Sequence, residues 1–262
     1  MPFTLAHPAA VLPLRRIPLM RTVPLVIGAM TPDASYYLPW RIAKHFPDDT
    51  HTLAGTFTID LPIGIALLLL VWLLRAQLAA PLGADGEAKC FAALERFGSR
   101  AGNWVLAPLS LLVGSWTHLA WDSFTHPEGW MVSRISALSA PVSFFSYTGE
   151  LCHVLQYVSS VFGLAVLAVW FALLPPPAGA GANGGERSAG GPLLLAGLFA
   201  VAAAAGCFET VEHLVRHIPA RYHVFYLLLT RTTAWFGLLY IVAGTVMTRG
   251  RRRATGASVT QM

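Results

Sequence analysis

Residues 61–80 read LPIGIALLLLVWLLRAQLAA, and Arg75 is the one charge among them. An α-helix rises 1.5 Å per residue, so an apolar run of this length crosses the roughly 30 Å hydrocarbon core of a bilayer. Arg75 stands near one end of the run, where its guanidinium can extend to the interface. Working outward, residues 104–121 read WVLAPLSLLVGSWTHLAW, a second run with Trp at both ends. A third covers 154–174, VLQYVSSVFGLAVLAVWFALL, and a fourth runs from about 192 to 208. The fourth contains AVAAAAG, and small residues let helices approach closely in lipid. The fifth, 224–247, is VFYLLLTRTTAWFGLLYIVAGTVM and contains Arg231. The fold expected from these runs is all-α, a polytopic transmembrane helical bundle of about five spanning helices.

Composition agrees. Of the 262 residues 55% are hydrophobic and 12% charged, against roughly 25% charged in a soluble domain. The formal charge is +5, but the basic residues are scattered except for RGRRR at 249–253. Such a cluster after a last span holds a helix end at an anionic leaflet, so the expected partner is the lipid bilayer and not nucleic acid. Cys90, Cys152 and Cys207 form no CxxC pair and support neither a disulfide framework nor a thiolate zinc site. The opening MPFTLAHPAAVLPLRR lacks the order of a removable signal peptide. In the first 60 residues VPLVIGAM at 23–30 is too short to span, and Arg15, Arg16 and Arg21 interrupt what precedes it. Interfacial or half-inserted helices are expected there. PPPAGAGANGGERSAGG at 175–191 reads as a flexible linker. Residues 1–250 are thus expected to form a single membrane-embedded helical domain, followed by a basic C-terminal tail at 251–262.

If the five spans alternate in direction, all nine histidines fall in segments attached to one membrane face. His7, His45 and His51 precede the first span, His118 and His126 end the second, and His153 opens the third. His213 and His217 follow the fourth, and His223 opens the fifth. The opposite segments, 81–103, 175–191 and 248–262, contain no histidine but carry Lys89, Arg96, Arg100, Arg187 and the terminal arginines. By the positive-inside rule the C-terminus is expected in the cytoplasm and the histidines on the far side.

On a helix turning 100° per residue, His118, Asp122 and His126 form a single stripe, HxxxDxxxH. Ionisable groups at membrane depth face a bundle interior and need a partner there. Imidazole with carboxylate suits a divalent cation such as zinc or manganese, although a buried hydrogen-bond network would present the same stripe. His7, Asp33 in TPD, His51 in THTLAG and Asp60 in FTIDLP also stand in apolar or small-residue settings. Asp60 has a competing reading as N-cap of the first helix, and His45 reads as a solvated loop residue. Glu209, Glu212, His213 and Arg216 form a second stripe, readable as an interfacial ion-pair ladder or as partners of a polar head group. Arg231 needs an anionic or carbonyl partner within its span.

The phrases MPFTLAHPAAVLPLRR, IGAMTPDASYYL, HTLAGTFTIDLPIG, THLAWDSFTHPEGW and VLQYVSSVFG resemble a family of bacterial integral membrane proteins carrying a domain of unknown function. That family is distantly similar to the inner-membrane-associated metal-dependent hydrolases of the LexA-binding type. The hydrolases have a His near the N-terminus, a PD pair, a His before a long apolar helix and a GxxxHxxxDxxT stretch. The resemblance places His7, Asp33, His51, Gly114, His118, Asp122 and Thr125 at those positions. It departs at 51–55, which read HTLAG where the hydrolases have a glycine-bearing RGxTHS stretch.

The combined expectation is a bacterial inner-membrane protein binding one or two divalent cations through His7, Asp33, His51, His118 and Asp122. If it is an enzyme, the reaction is metal-assisted hydrolysis of a lipid-linked or amphipathic substrate, with Asp33 or Asp122 taking the proton. The alternatives are a non-catalytic scaffold or regulatory membrane protein, or a transporter.

Overall fold

The computed structural model describes residues 3–38, 48–145, 147–175, 177, 190–216 and 221–259. It has the all-α, polytopic architecture expected, with one small hairpin as the only strands among the described residues. His45, His217 and most of the 175–191 stretch lie outside the described residues. The chain divides into two compact units: Met1–Ala34, Phe46–Leu70 and Phe97–Leu174 form the first, and Ser35–His45, Val71–Arg96 and Pro175–Met262 the second.

The main elements are α1 (Thr22–Gly28), α2 (Leu53–Leu73), α3 (Gly83–Gly98) and α4 (Ala101–Thr125), the strands β1 (Pro141–Phe144) and β2 (Tyr147–Glu150), and α5 (Leu151–Leu173), α6 (Gly190–Arg216) and α7 (Arg221–Val259). Four helices among the described residues are long and apolar enough to cross a membrane: α2, α5, and the stretches Gly191–Leu214 of α6 and Val224–Arg253 of α7. Their outward residues are bare hydrocarbon, with Leu73, Val161, Leu173 and Leu193 all more than 60% exposed. Lipid is the solvent that accepts such a surface.

The structure moves the first span. The helix begins at Leu53, where the Thr52 hydroxyl accepts from the Gly55 amide, and it ends at Leu73, before Arg75. Arg75 stacks on Trp72 and pairs with Glu95 of α3, in the second unit. Asp60 therefore is not an N-cap. It closes a π-helical turn, Thr56–Asp60, inside α2. Two other differences are local: the 81–103 connection contains the helix α3, and the 251–262 tail continues α7 as helix to Val259.

In the first unit α4 is the inner helix. It encloses the 104–121 run and is 25 residues long, but serines and the His/Asp stripe leave it less apolar than the four crossings. Its buried positions, Ala107, Ser110, Leu111, Gly114, Ser115, His118, Asp122 and Thr125, recur every three or four residues and so define one helical face. α1 lies along that face. A Cβ on Gly28 would sit 2.1 Å from the Leu111 carbonyl oxygen, and one on Gly114 would sit 2.4 Å from the Leu25 carbonyl oxygen. Only glycine permits this backbone approach. The Ser115 hydroxyl donates to Gly28 O, and the Arg21 amide donates to Ser110 Oγ. The N-terminal turn packs on α5, with the Phe3 amide donating to Ser160 Oγ and Ala6 O close against Gly163. The hairpin, in register Pro141↔Glu150 to Phe144↔Tyr147, leads into α5.

In the second unit α6 and α7 meet where Gly206 abuts Thr232, close to the small-residue run of α6. Arg231 donates to Leu38 O at 3.2 Å, and its Nε lies 3.8 Å from Glu209 Oε2.

Candidate metal centre

Each polar residue of the first unit is placed by its own element. The α1–α4 crossing carries Ala29 to His118, whose Nδ1 is 2.8 Å from Ala29 O. A carbonyl can only accept, so Nδ1 bears a proton and His118 Nε2 is the ring nitrogen that faces inward. Backbone anchoring of the distal ring nitrogen is what orients a metal-ligating imidazole. Directly after α1, a 3-10 turn, Thr31–Tyr37, delivers Asp33, which is completely buried. The Thr4 hydroxyl donates to Asp33 Oδ2 at 2.5 Å and leaves Oδ1 towards the cluster. His51 ends the 3-10 turn Asp48–His51 ahead of α2, and its Nδ1 lies 3.1 Å from Thr50 Oγ1. Asp122 stands one turn after His118 on α4.

These residues converge. His51 Nε2 is 3.2 Å from Asp33 Oδ1 and 3.7 Å from Asp122 Oδ2. His118 Nε2 is 3.5 Å from Asp33 Oδ1 and 3.3 Å from Asp122 Oδ2. One ligand atom from each of Asp33, His51, His118 and Asp122 lies within 4.8 Å of all the others. Asp33 Oδ1, His118 Nε2 and both Asp122 oxygens are buried without a hydrogen-bond partner. Two ligands of one tetrahedral zinc, each at about 2.0–2.2 Å, stand roughly 3.3–3.5 Å apart, longer than most hydrogen bonds. The cluster thus has the spacing and the donor set of two imidazoles and two carboxylates that can hold a metal ion. The geometry leaves the identity of the metal open, because imidazole and carboxylate serve several divalent ions.

The remaining candidates adjoin this group. His7 is 4% exposed, stacks on His118 with ring centroids 3.8 Å apart, and has its Nε2 3.5 Å from Asp122 Oδ1. Burial first, and the neighbouring His118 imidazole second, push the His7 imidazole down to about 3 against the pull of Asp122 and Asp33. Burial alone would raise the Asp33 carboxyl, but the imidazoles of His118 and His51 hold it well below the usual range. His126 caps the C-terminus of α4 and turns Nδ1 to the Asp122 carbonyl at 3.1 Å. Glu209, His213 and Arg231 lie in the second unit.

One contributor escapes a reading by residue pattern, and a second has a competing reading as an N-cap. Thr4, in FTLA, carries no signal at all. Asp60 is 1% exposed with both carboxylate oxygens unpartnered, and His51, His118 and Asp33 are its electrostatic neighbours. Its apolar setting was the available clue, and a π-turn inside a helix is a recurring mark of functional sites.

Apolar helices long enough to span and a buried Asp/His cluster define a multi-pass membrane protein with a candidate metal centre. The chain belongs to the family of a domain of unknown function, DUF4184, whose family model matches residues 1–249. No curated protein and no solved structure matches the chain.

Proposed function

We propose that this protein is a membrane-embedded, metal-dependent hydrolase whose cation is held by Asp33, His51, His118 and Asp122. The observation that carries the reading is the convergence of buried acceptor atoms with no hydrogen-bond partner. Asp33 Oδ1, both Asp122 oxygens and His118 Nε2 are desolvated without a partner, a cost that a cation held among them and His51 would offset. A bound zinc or manganese ion supplies Lewis acidity towards water and towards a phosphoryl or carbonyl oxygen. Whichever of Asp33 and Asp122 is not fully engaged with the cation would take the proton, and Thr4 and Ala29 keep Asp33 and His118 in place.

A lipid-linked or amphipathic substrate suits the surroundings. An apolar cavity of about 640 Å³ runs between α4 and α5, walled by Trp121, Phe124, Leu155, Val158 and Phe162. Its polar lining is limited to Thr117, Thr125 and Ser159, so it suits a hydrocarbon chain. The terminal arginines after α7 favour a bacterial inner membrane with the C-terminus cytoplasmic.

Elemental analysis of the full chain purified in mild detergent tests the reading. Bound zinc or manganese is expected, and His118→Ala and Asp122→Ala should each lose most of it. A hundredfold excess of metal over Kd should stabilise the parent by about 2.7 kcal/mol. A parent without bound metal, and without stabilisation by added zinc or manganese, leaves the cluster as a polar network in a scaffold.

A further inference from the structure

Asp122 divides its two oxygens between two sets of partners. Oδ2 faces His118 and His51, on the side of Asp33. Oδ1 faces His7 Nε2 at 3.5 Å and His126 Nδ1 at 3.7 Å. His126 Nδ1 directs its proton to the Asp122 backbone carbonyl, so it presents no lone pair to Oδ1. His7 is placed otherwise. Neither of its ring nitrogens has a hydrogen-bond partner, and its ring is stacked nearly parallel on that of His118, at 16°. Two stacked imidazoles therefore bring their Nε2 atoms to opposite oxygens of one carboxylate.

Charge points the same way. Asp33 and Asp122 are buried, and their ion-pair partners among the described residues are imidazoles, with no Lys or Arg. Two divalent cations against these two carboxylates leave a net positive charge, ready for an anionic oxygen.

We propose that His7 Nε2 and Asp122 Oδ1 hold a second divalent cation, with Asp122 bridging the two ions. His7 also lines a cavity of about 160 Å³, with Trp121, Ser159 and Phe162 in its wall, from which a phosphoryl or carboxyl oxygen of the substrate would approach the second ion. The inference rests on the cation reading of the four-residue cluster and adds to it a two-ion centre of the kind that clamps both oxygens of a displacement.

The full chain in detergent, stripped and reloaded with manganese, tests it by metal content and electron paramagnetic resonance. The parent should take up two ions per chain and give the spectrum of a carboxylate-bridged, exchange-coupled pair. His7→Ala should keep one ion with an uncoupled spectrum, and His7→Gln gives the same readout if the alanine variant does not fold. A parent that binds a single ion, or a His7 variant that retains the coupled pair, overturns the second subsite and leaves the first standing. A parent that binds none overturns both.

Discussion

The substitution Gly114→Ala isolates the contact that orients His118. A Cβ there would lie 2.4 Å from Leu25 O and 2.7 Å from the Ala29 amide nitrogen, whereas non-bonded carbon contacts are comfortable at about 3.5 Å. Relief requires α1 to withdraw from α4 by about 1 Å. A withdrawal of that size carries Ala29 O from 2.8 Å to beyond hydrogen-bond range of His118 Nδ1, and loosens the 3.1 Å bond from Ser115 to Gly28. Overpacking costs about 1–3 kcal/mol and each bond about 1 kcal/mol, while alanine returns about 1 kcal/mol of helix propensity. The net loss is about 2–4 kcal/mol, or roughly 4–16 °C in the unfolding midpoint at 2–4 °C per kcal/mol. Because the bond to Ala29 orients a ligand, metal affinity should also fall about 10–100-fold. Thermal unfolding in detergent, with and without zinc, measures both. Gly102→Ala, whose Cβ would meet nothing within 4 Å, is the control and should be neutral or slightly stabilising. Equal midpoints and metal affinities in Gly114→Ala and the parent would refute the close crossing and the placement of His118 that depends on it.

Two further outcomes are expected. His7 is held near 3 in the folded chain against an ordinary value of 6.5, so the unfolded chain binds the additional proton between those values. Its contribution to stability is therefore complete above about pH 6.5 and declines as the pH falls below it; Asp33, also depressed, adds a loss below the ordinary carboxylate value. Acidification of the metal-free protein from pH 7.5 to pH 5 should cost the parent more midpoint than it costs His7→Gln; equal changes in the two would contradict the burial of a neutral His7. In the second unit, Arg231→Leu removes the donor to Leu38 O and the partner of a partly exposed Glu209. It should cost about 1–2 kcal/mol and leave metal content unchanged, and loss of the metal would show a connection to the centre that these contacts do not contain.

Membrane topology is legible in the chain because a bilayer reads sequence one segment at a time. A run such as VLQYVSSVFGLAVLAVWFALL must satisfy its own backbone polar groups and bury its own side chains in lipid, so hydropathy and length suffice. The helical repeat likewise puts His118 and Asp122 on one stripe before any packing is known. The limits of the first span were not legible, because the start of α2 depends on the Thr52 cap and on a π-turn that turns Asp60 inward, and neither alters hydropathy. α4 reads as a spanning helix like the others, yet its polar face is the interior of the first unit, a distinction made by what packs on it. His7, Asp33 and His51 come from separate short turns that share no period with α4. Only the tertiary structure decided that they meet Asp122. Bringing them together takes the glycine-permitted crossing of α1 on α4 and the seating of the N-terminal turn on α5, which are contacts between distant segments that local pattern does not encode.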